Sequence, residues 1–351
     1  MRIFFLLSNA FFPEHFSGQN RTLLELCQKL TELGHEPIIL AGKLRSTGNS
    51  KILVDREFGF RIFRATNPLK SISALCSTLR PDIAVVVDGH QEGFIEECQS
   101  IDIPVAVWFF QVESYYYRNH LLDNTLLYLA SSQFVATRIY GLFGVKAQVV
   151  SPYIEQLRYH KPRQGKRVLF VNPVREKGVE IIFQLAQHRP THAFNIVESW
   201  GISIDWRAIC FERALRCGNI EWFTATSDMN AIFDQTRLLV LPRFNEEGFC
   251  RLATEAQLGG IPVLSSDRGH LPDNVGPGGV VVKIDDDVQV WLKHLDRFVA
   301  DESYFQQMSE RARSHALRDE LNGKGIIDHL LTLLTGQIAK YKLSRFTRRQ
   351  R

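Results

Sequence analysis

Short apolar runs separated by stretches of helical spacing, in two successive sets, constrain this chain more than any other feature. In the first half RIFFLL, EPIIL, RIFRA, DIAVVVD, PVAVWFF and LLYLASS are four to eight residues long and end in Pro, Gly or polar turns. They are apolar on both faces, so a half-exposed sheet would leave one face wet. A parallel sheet covered by helices on both sides is the arrangement they predict. Between the first two runs, residues 22–33 set Leu23, Leu24, Leu26 and Leu30 along one helical face.

The pattern then restarts. KRVLFVN, HAFNIVE, IEWF, RLLVLP, IPVLSS and GGVVVK form a second set, with a helix expected over 179–187. This predicts a second doubly wound α/β unit. The stretch between them, SPYIEQLRYHKPRQGK, is polar and basic with two prolines and a glycine, and reads as a linker. A length of 351 residues suits two such domains. The expected division is 1–160, 161–325, and a C-terminal helix with a basic tail over 326–351. That helix places Ile326, Ile327, Leu330, Leu331, Leu334 and Ile338 on one side. Two units facing across a cleft would put ligands at the carboxyl ends of their strands.

Charge and cysteine usage narrow the class. A formal charge of +4 without a basic stripe or a nucleic-acid module argues against DNA or RNA partners. The six cysteines form no Cys-x-x-Cys pair and no zinc spacing, which suits reduced thiols in the cytosol. The apolar start is broken by Ser8-Asn9 and reads as a buried first strand rather than a signal peptide.

The candidate chemistry lies at strand ends of the second set. Glu247-Gly248-Phe249-Cys250 follows RLLVLP and precedes the helical RLATEAQLG. A helix start offers unsatisfied N–H groups and positive potential, and Gly248 lets backbone approach a phosphate. Glu247 and Glu255 stand on either side of that start, suited to accept hydrogen bonds from sugar and ribose hydroxyls. A helix-dipole carboxylate and a surface glutamate remain the alternatives. In NPVREKG, residues 172–178, Arg175 and Lys177 are cations at the same expected edge and suit a diphosphate. Ser17-Gly18, between the first strand and its helix, is a further phosphate-approach turn.

These elements resemble glycosyltransferase family 4, retaining enzymes of the GT-B fold, over essentially the whole chain. The likeness rests on the 13–18 loop, Gly34-His35, LYLASSQFVATRIYGLFGV with VVSPYIE, VREKGVEIIFQLA, EEGFCRLATEAQLGGIPVLSS, RGHLPDNVG and GGVVV. It implies two Rossmann-like domains with the C-terminal helices packed back on the first.

In such a site Glu247 would hold the donor sugar and Glu255 the ribose. Lys177, helped by Arg175, would stabilise the diphosphate leaving group. Gly18, Asn172, Glu198, Gly248, Phe249, Cys250, Arg251 and His270 would complete donor binding, and no metal or other cofactor is implied. The family's Gly-Arg is Asn172-Pro173 here, and the His-Asp that ends its PVAVWFF strand reads Phe110-Gln111, which leaves His90 as the candidate N-domain histidine.

The implied reaction moves a sugar from a nucleotide diphosphate to a hydroxyl of a glycan or lipid-linked glycan, as in surface polysaccharide or lipopolysaccharide synthesis. A sugar-nucleotide 2-epimerase and a non-catalytic GT-B scaffold are the competing readings. Six cations over 340–351 suggest peripheral contact with an anionic membrane from the cytoplasmic side.

Overall fold

The computed structural model describes residues 1–43, 52–87, 91–112, 125–226 and 228–349. The chain divides into two compact units, Met1–His15 with Gln19–Tyr153 and Gly323–Arg351, and Phe16–Gly18 with Ile154–Asn322. Each is built on one sheet.

The first sheet has eight strands among the described residues. These are β1 (Arg2–Ala10), β2 (Glu36–Gly42), β3 (Leu53–Asp55), β4 (Arg61–Ala65), β5 (Ile83–Val87), β6 (Val105–Phe109), β7 (Leu127–Ala130) and β8 (Gln148–Val149). Their order is β3-β4-β2-β1-β5-β6-β7-β8, parallel except for β3 against β4. The runs that read as buried strands are buried, with β5 and β6 enclosed along their whole length.

The second sheet holds β9 (Arg167–Val171), β10 (Phe194–Val197), β11 (Ile220–Phe223), β12 (Thr236–Leu241), β13 (Val263–Ser266) and β14 (Gly279–Val282). Its order is β11-β10-β9-β12-β13-β14, all parallel. Alternation along each strand feeds two apolar layers. Val168, Phe170, Leu238 and Val240 join the layer built around Phe183 and Trp291. Leu169, Leu239 and Leu241 join the layer that includes Ala253, Ala256 and Leu271. The chain builds outward from β9 through β10 to β11, then crosses back to lay β12 on the other side of β9. This reversal is a topological switch point, where open α/β sheets leave room for ligands beyond the strand ends.

The stretch read as a linker contains the division between the two units, at Tyr153/Ile154, and parts of it are packed although its composition reads as solvated. Tyr159 is buried with its ring edge-on to Phe233, centroids 6.3 Å apart. Arg163 is buried over the same ring and donates to Asp234 at 2.9 Å and to the Asn230 carbonyl at 2.7 Å.

The helix Ile204–Cys217 was also not expected from the sequence pattern, since it leaves Ile204, Ile209, Phe211 and Leu215 exposed and so lacks a clean apolar stripe. The long C-terminal helix Gly323–Arg349 belongs to the first unit. There Ile326, Ile327, Leu330 and Leu334 are buried, and Gln337 donates to the carbonyls of Val105 and Thr125. Among the described residues no helix is long and apolar enough to cross a membrane.

Candidate active site

The loops after β9 and β12 leave neighbouring strands in register. Leu169 pairs with Leu239, so Asn172 and Pro242 each lie three residues beyond a matched pair. From β9 the chain passes Asn172, whose φ of +70° is a left-handed conformation that asparagine tolerates better than most residues. It then makes a single 3₁₀ turn, Arg175–Lys177, which ends at Gly178.

Gly178 has φ of +82°, and a Cβ there would lie 1.9 Å from the Pro242 carbonyl oxygen. Only glycine allows the two loops to come this close. The Phe244 N–H donates to the Glu176 carbonyl at 3.0 Å and ties the same loops a second time.

This approach brings Lys177 to Glu247. Lys177 Nζ donates to Glu247 Oε1, and the side chains are 17% and 14% exposed. Arg243, four residues before Glu247 and itself buried, places Nε 3.5 Å from the same oxygen. Burial by itself would push the Glu247 carboxyl up. The charges of Lys177 and Arg243, with the Lys177 hydrogen bond, outweigh it and hold the group below the ordinary glutamate value.

Lowered in the folded state, this carboxyl contributes stability that is fully present above the unfolded value near 4.3, and that is lost as pH falls through the lower folded value. Glu247→Gln is therefore expected to flatten the acid limb of the melting temperature measured from pH 7 to 3.5. Superimposable acid limbs for the two proteins would count against the pairing.

The backbone of Glu247 is fixed from the other side. It bridges to Gly269, and the His270 N–H donates to its carbonyl at 2.8 Å. At Gly269, φ is +63° and a Cβ would meet Glu247 backbone atoms at 2.5 Å, so this position also requires glycine. The His270 ring stacks on Phe249 with centroids 6.0 Å apart, and Nδ1 lies 3.3 Å from Asp273 Oδ2. Burial lowers its pKa from the ordinary histidine value, against the opposing pull of Asp273.

The remaining expected residues are placed as follows. Cys250 precedes the helix Arg251–Leu258, but its N–H donates to the buried Asn274 Oδ1 at 2.9 Å. The Cys250 amide expected in a phosphate cradle is thus held by Asn274 in this structure. Glu255 is buried one turn into this helix and paired with Arg251.

Gly18 clusters with this unit, where a Cβ would lie 3.7 Å from that of Arg251, an ordinary contact. Arg175 is exposed, with its guanidinium 4.3 Å from the centre of the Trp206 ring rather than beside Lys177. Glu198 accepts from Arg207 at 2.6 Å and from the Trp222 indole, which holds the end of β10. Phe110 is buried against Trp108, and His90 lies outside the described residues.

Sequence reasoning missed three residues of this site. Arg243 adds the second cation on Glu247, Asn274 clamps the Cys250 amide, and Trp200 lies with its ring centre 6.0 Å from Lys177 Nζ. A signal for Arg243 existed, since an arginine directly after a buried strand and four residues before a site glutamate is poorly placed for solvent.

Two parallel Rossmann-like units of this kind define the GT-B class of glycosyltransferase folds. Residues 159–315 match the family model described as "Glycosyl transferases group 1", which is just under half of the chain and most of the second unit. No curated protein matches the sequence.

Among solved structures, a sucrose-phosphate synthase from Thermosynechococcus elongatus is similar with a TM-score of 0.80 at 14% identity, covering 97% of this chain and 100% of that one. A glycosyltransferase from Rickettsia africae ESF-5 scores 0.77 at 13% identity, over 96% and 98%. HepE from Anabaena, solved in complex with UDP, scores 0.75 at 14% identity, over 96% and 100%. Family match and fold together support glycosyl transfer.

Proposed function

We propose that this chain is a retaining glycosyltransferase that moves a sugar from a nucleoside diphosphate to an acceptor hydroxyl without a divalent ion. The observation that carries the reading is the cluster of Lys177, Arg243 and Glu247 at the switch point between β9 and β12. It lies within the segment that matches the glycosyltransferase family model.

The chemistry follows from the charges. Lys177 has three N–H donors and spends one on Glu247, so it can meet a phosphate oxygen without releasing the carboxylate. Positive charge fixed in a partly buried site stabilises the leaving diphosphate as negative charge grows on it. Glu247, held ionised by two cations, is a weak base and a weak nucleophile and serves as an acceptor for sugar hydroxyls.

Retention then comes from acceptor attack on the face the diphosphate leaves. The acceptor oxygen bonds to the anomeric carbon, the bond from that carbon to the phosphate oxygen breaks, and the departing phosphate takes the hydroxyl proton.

HepE was solved with UDP and with UDP-glucose, and a further similar structure, WaaG (TM-score 0.70 at 13% identity, over 95% of this chain and 100% of that one), is a glycosyltransferase involved in lipopolysaccharide biosynthesis. UDP-hexoses and surface-glycan acceptors are therefore the first to test. The test follows the anomeric proton by NMR with a panel of sugar nucleotides, with and without acceptor, in the presence of EDTA. Transfer with the donor's anomeric configuration supports the reading. Inversion removes retention, loss of rate in EDTA removes metal independence, and conversion of the sugar without acceptor identifies an epimerase.

A further inference from the structure

Arg243 is buried with most of its hydrogen-bonding capacity unused. Its side chain is 7% exposed, and the contact with Glu247 at 3.5 Å is long for a hydrogen bond. Nε and Nη1 make no hydrogen bond among the described residues. Other buried arginines of the same unit are better served. Arg163 reaches Asp234 and the Asn230 carbonyl, and Arg237 donates to the Phe298 carbonyl at 2.8 Å and to Glu302 at 2.9 Å.

A second unspent group sits at the end of the neighbouring strand. Asn172 is buried, and neither Nδ2 nor Oδ1 has a partner among the described residues. Buried polar groups are nearly always paired, and two orphans beyond adjacent parallel strands mark a place that an external group completes.

The missing group is anionic. The cluster carries two cations, Lys177 and Arg243, against the single carboxylate Glu247 that both share. Arg243 is also held rigidly, since Ser266 Oγ donates to its carbonyl at 2.8 Å and the following N–H is tied to Glu176. A guanidinium fixed in this way offers a planar fork matched to phosphate oxygens.

We propose that Arg243 is a direct ligand of the donor's diphosphate, gripping it together with Lys177, with the Asn172 amide as a further donor. The assignment rests on the nucleoside diphosphate reading given above.

Calorimetry on the full chain tests it, using UDP, GDP and ADP and the matching nucleosides, on wild type, Arg243→Gln and Arg243→Lys. Arg243→Gln is expected to weaken the bound nucleoside diphosphate about 100-fold while changing nucleoside affinity less than about threefold. Arg243→Lys, which keeps the charge and loses the fork, is expected to lose about tenfold. Diphosphate affinity unchanged in Arg243→Gln overturns this assignment alone. Failure of wild type to bind any of the three diphosphates overturns the donor reading and this assignment with it.

Circular dichroism melts report whether the variants fold. Should they not, the wild type labelled with ¹⁵N-arginine decides. One Nε signal, still present in Arg175→Ala, is expected to move with diphosphate and not with nucleoside. An unchanged set of arginine signals at saturating diphosphate overturns the proposal.

Discussion

Lys177→Ala is expected to lower turnover by two to three orders of magnitude at saturating donor while the protein stays folded. The size follows from the task. Removing one fixed donor from growing negative charge in a preorganised site costs about 3 to 4 kcal/mol of transition-state stabilisation.

The fold is expected to tolerate the change, because Glu247 keeps Arg243 as a counterion and solvent partly screens the exposed edge of the pair. A thermal melt within a few degrees of wild type, alongside the kinetic loss, separates chemistry from unfolding. Near-normal turnover would remove Lys177 from the leaving-group role.

Gly178→Ala is expected to be the most damaging small substitution in the second unit, at roughly 4 kcal/mol or outright failure to fold. Two costs combine. An alanine at φ of +82° is strained by about 1 kcal/mol, and its methyl would sit 1.9 Å from the Pro242 carbonyl oxygen. That oxygen belongs to backbone leaving the buried strand β12, so it cannot swing aside as a flexible side chain would.

Gly201 supplies the control. Its φ is +78°, but nothing lies within 4 Å of an added Cβ. Gly201→Ala should cost only the strain, about 1 kcal/mol, in chemical denaturation. Equal costs at the two positions would mean that the loops separate easily, and that their close approach does not organise the site.

Most strands of both sheets were legible because they are compact apolar runs ended by turn residues, whereas β3 and β8, three and two residues long and not buried, carried no such signal. KRVLFVN and RLLVLP, which became β9 and β12, are examples of such runs. Lys177 and Glu247 were legible for a related reason, since each follows a buried strand and precedes a helix.

What escaped depends on which residues meet across space. Arg175 looked like the partner of Lys177 in the sequence, yet one 3₁₀ turn carries it away to the Trp206 ring. Arg243 looked like a polar stop to a strand, although the chain buries it. Tyr159 and Arg163 looked like linker residues because a segment rich in cations and prolines reads as solvated until its partners, Phe233 and Asp234, are seen.

The register between β9 and β12 has one more consequence. Neighbouring strand ends are only about 4.8 Å apart, so a side chain just past one strand can occupy nearly the same volume as one just past its neighbour. The positions are far apart in sequence, with Asn172 and Arg243 on either side of most of the second sheet's connections. A charge requirement at such a point belongs to a location, and either strand can supply it. Motifs defined by spacing along the chain will therefore miss some members of such folds, whereas lining up strand ends across the sheet would recover them.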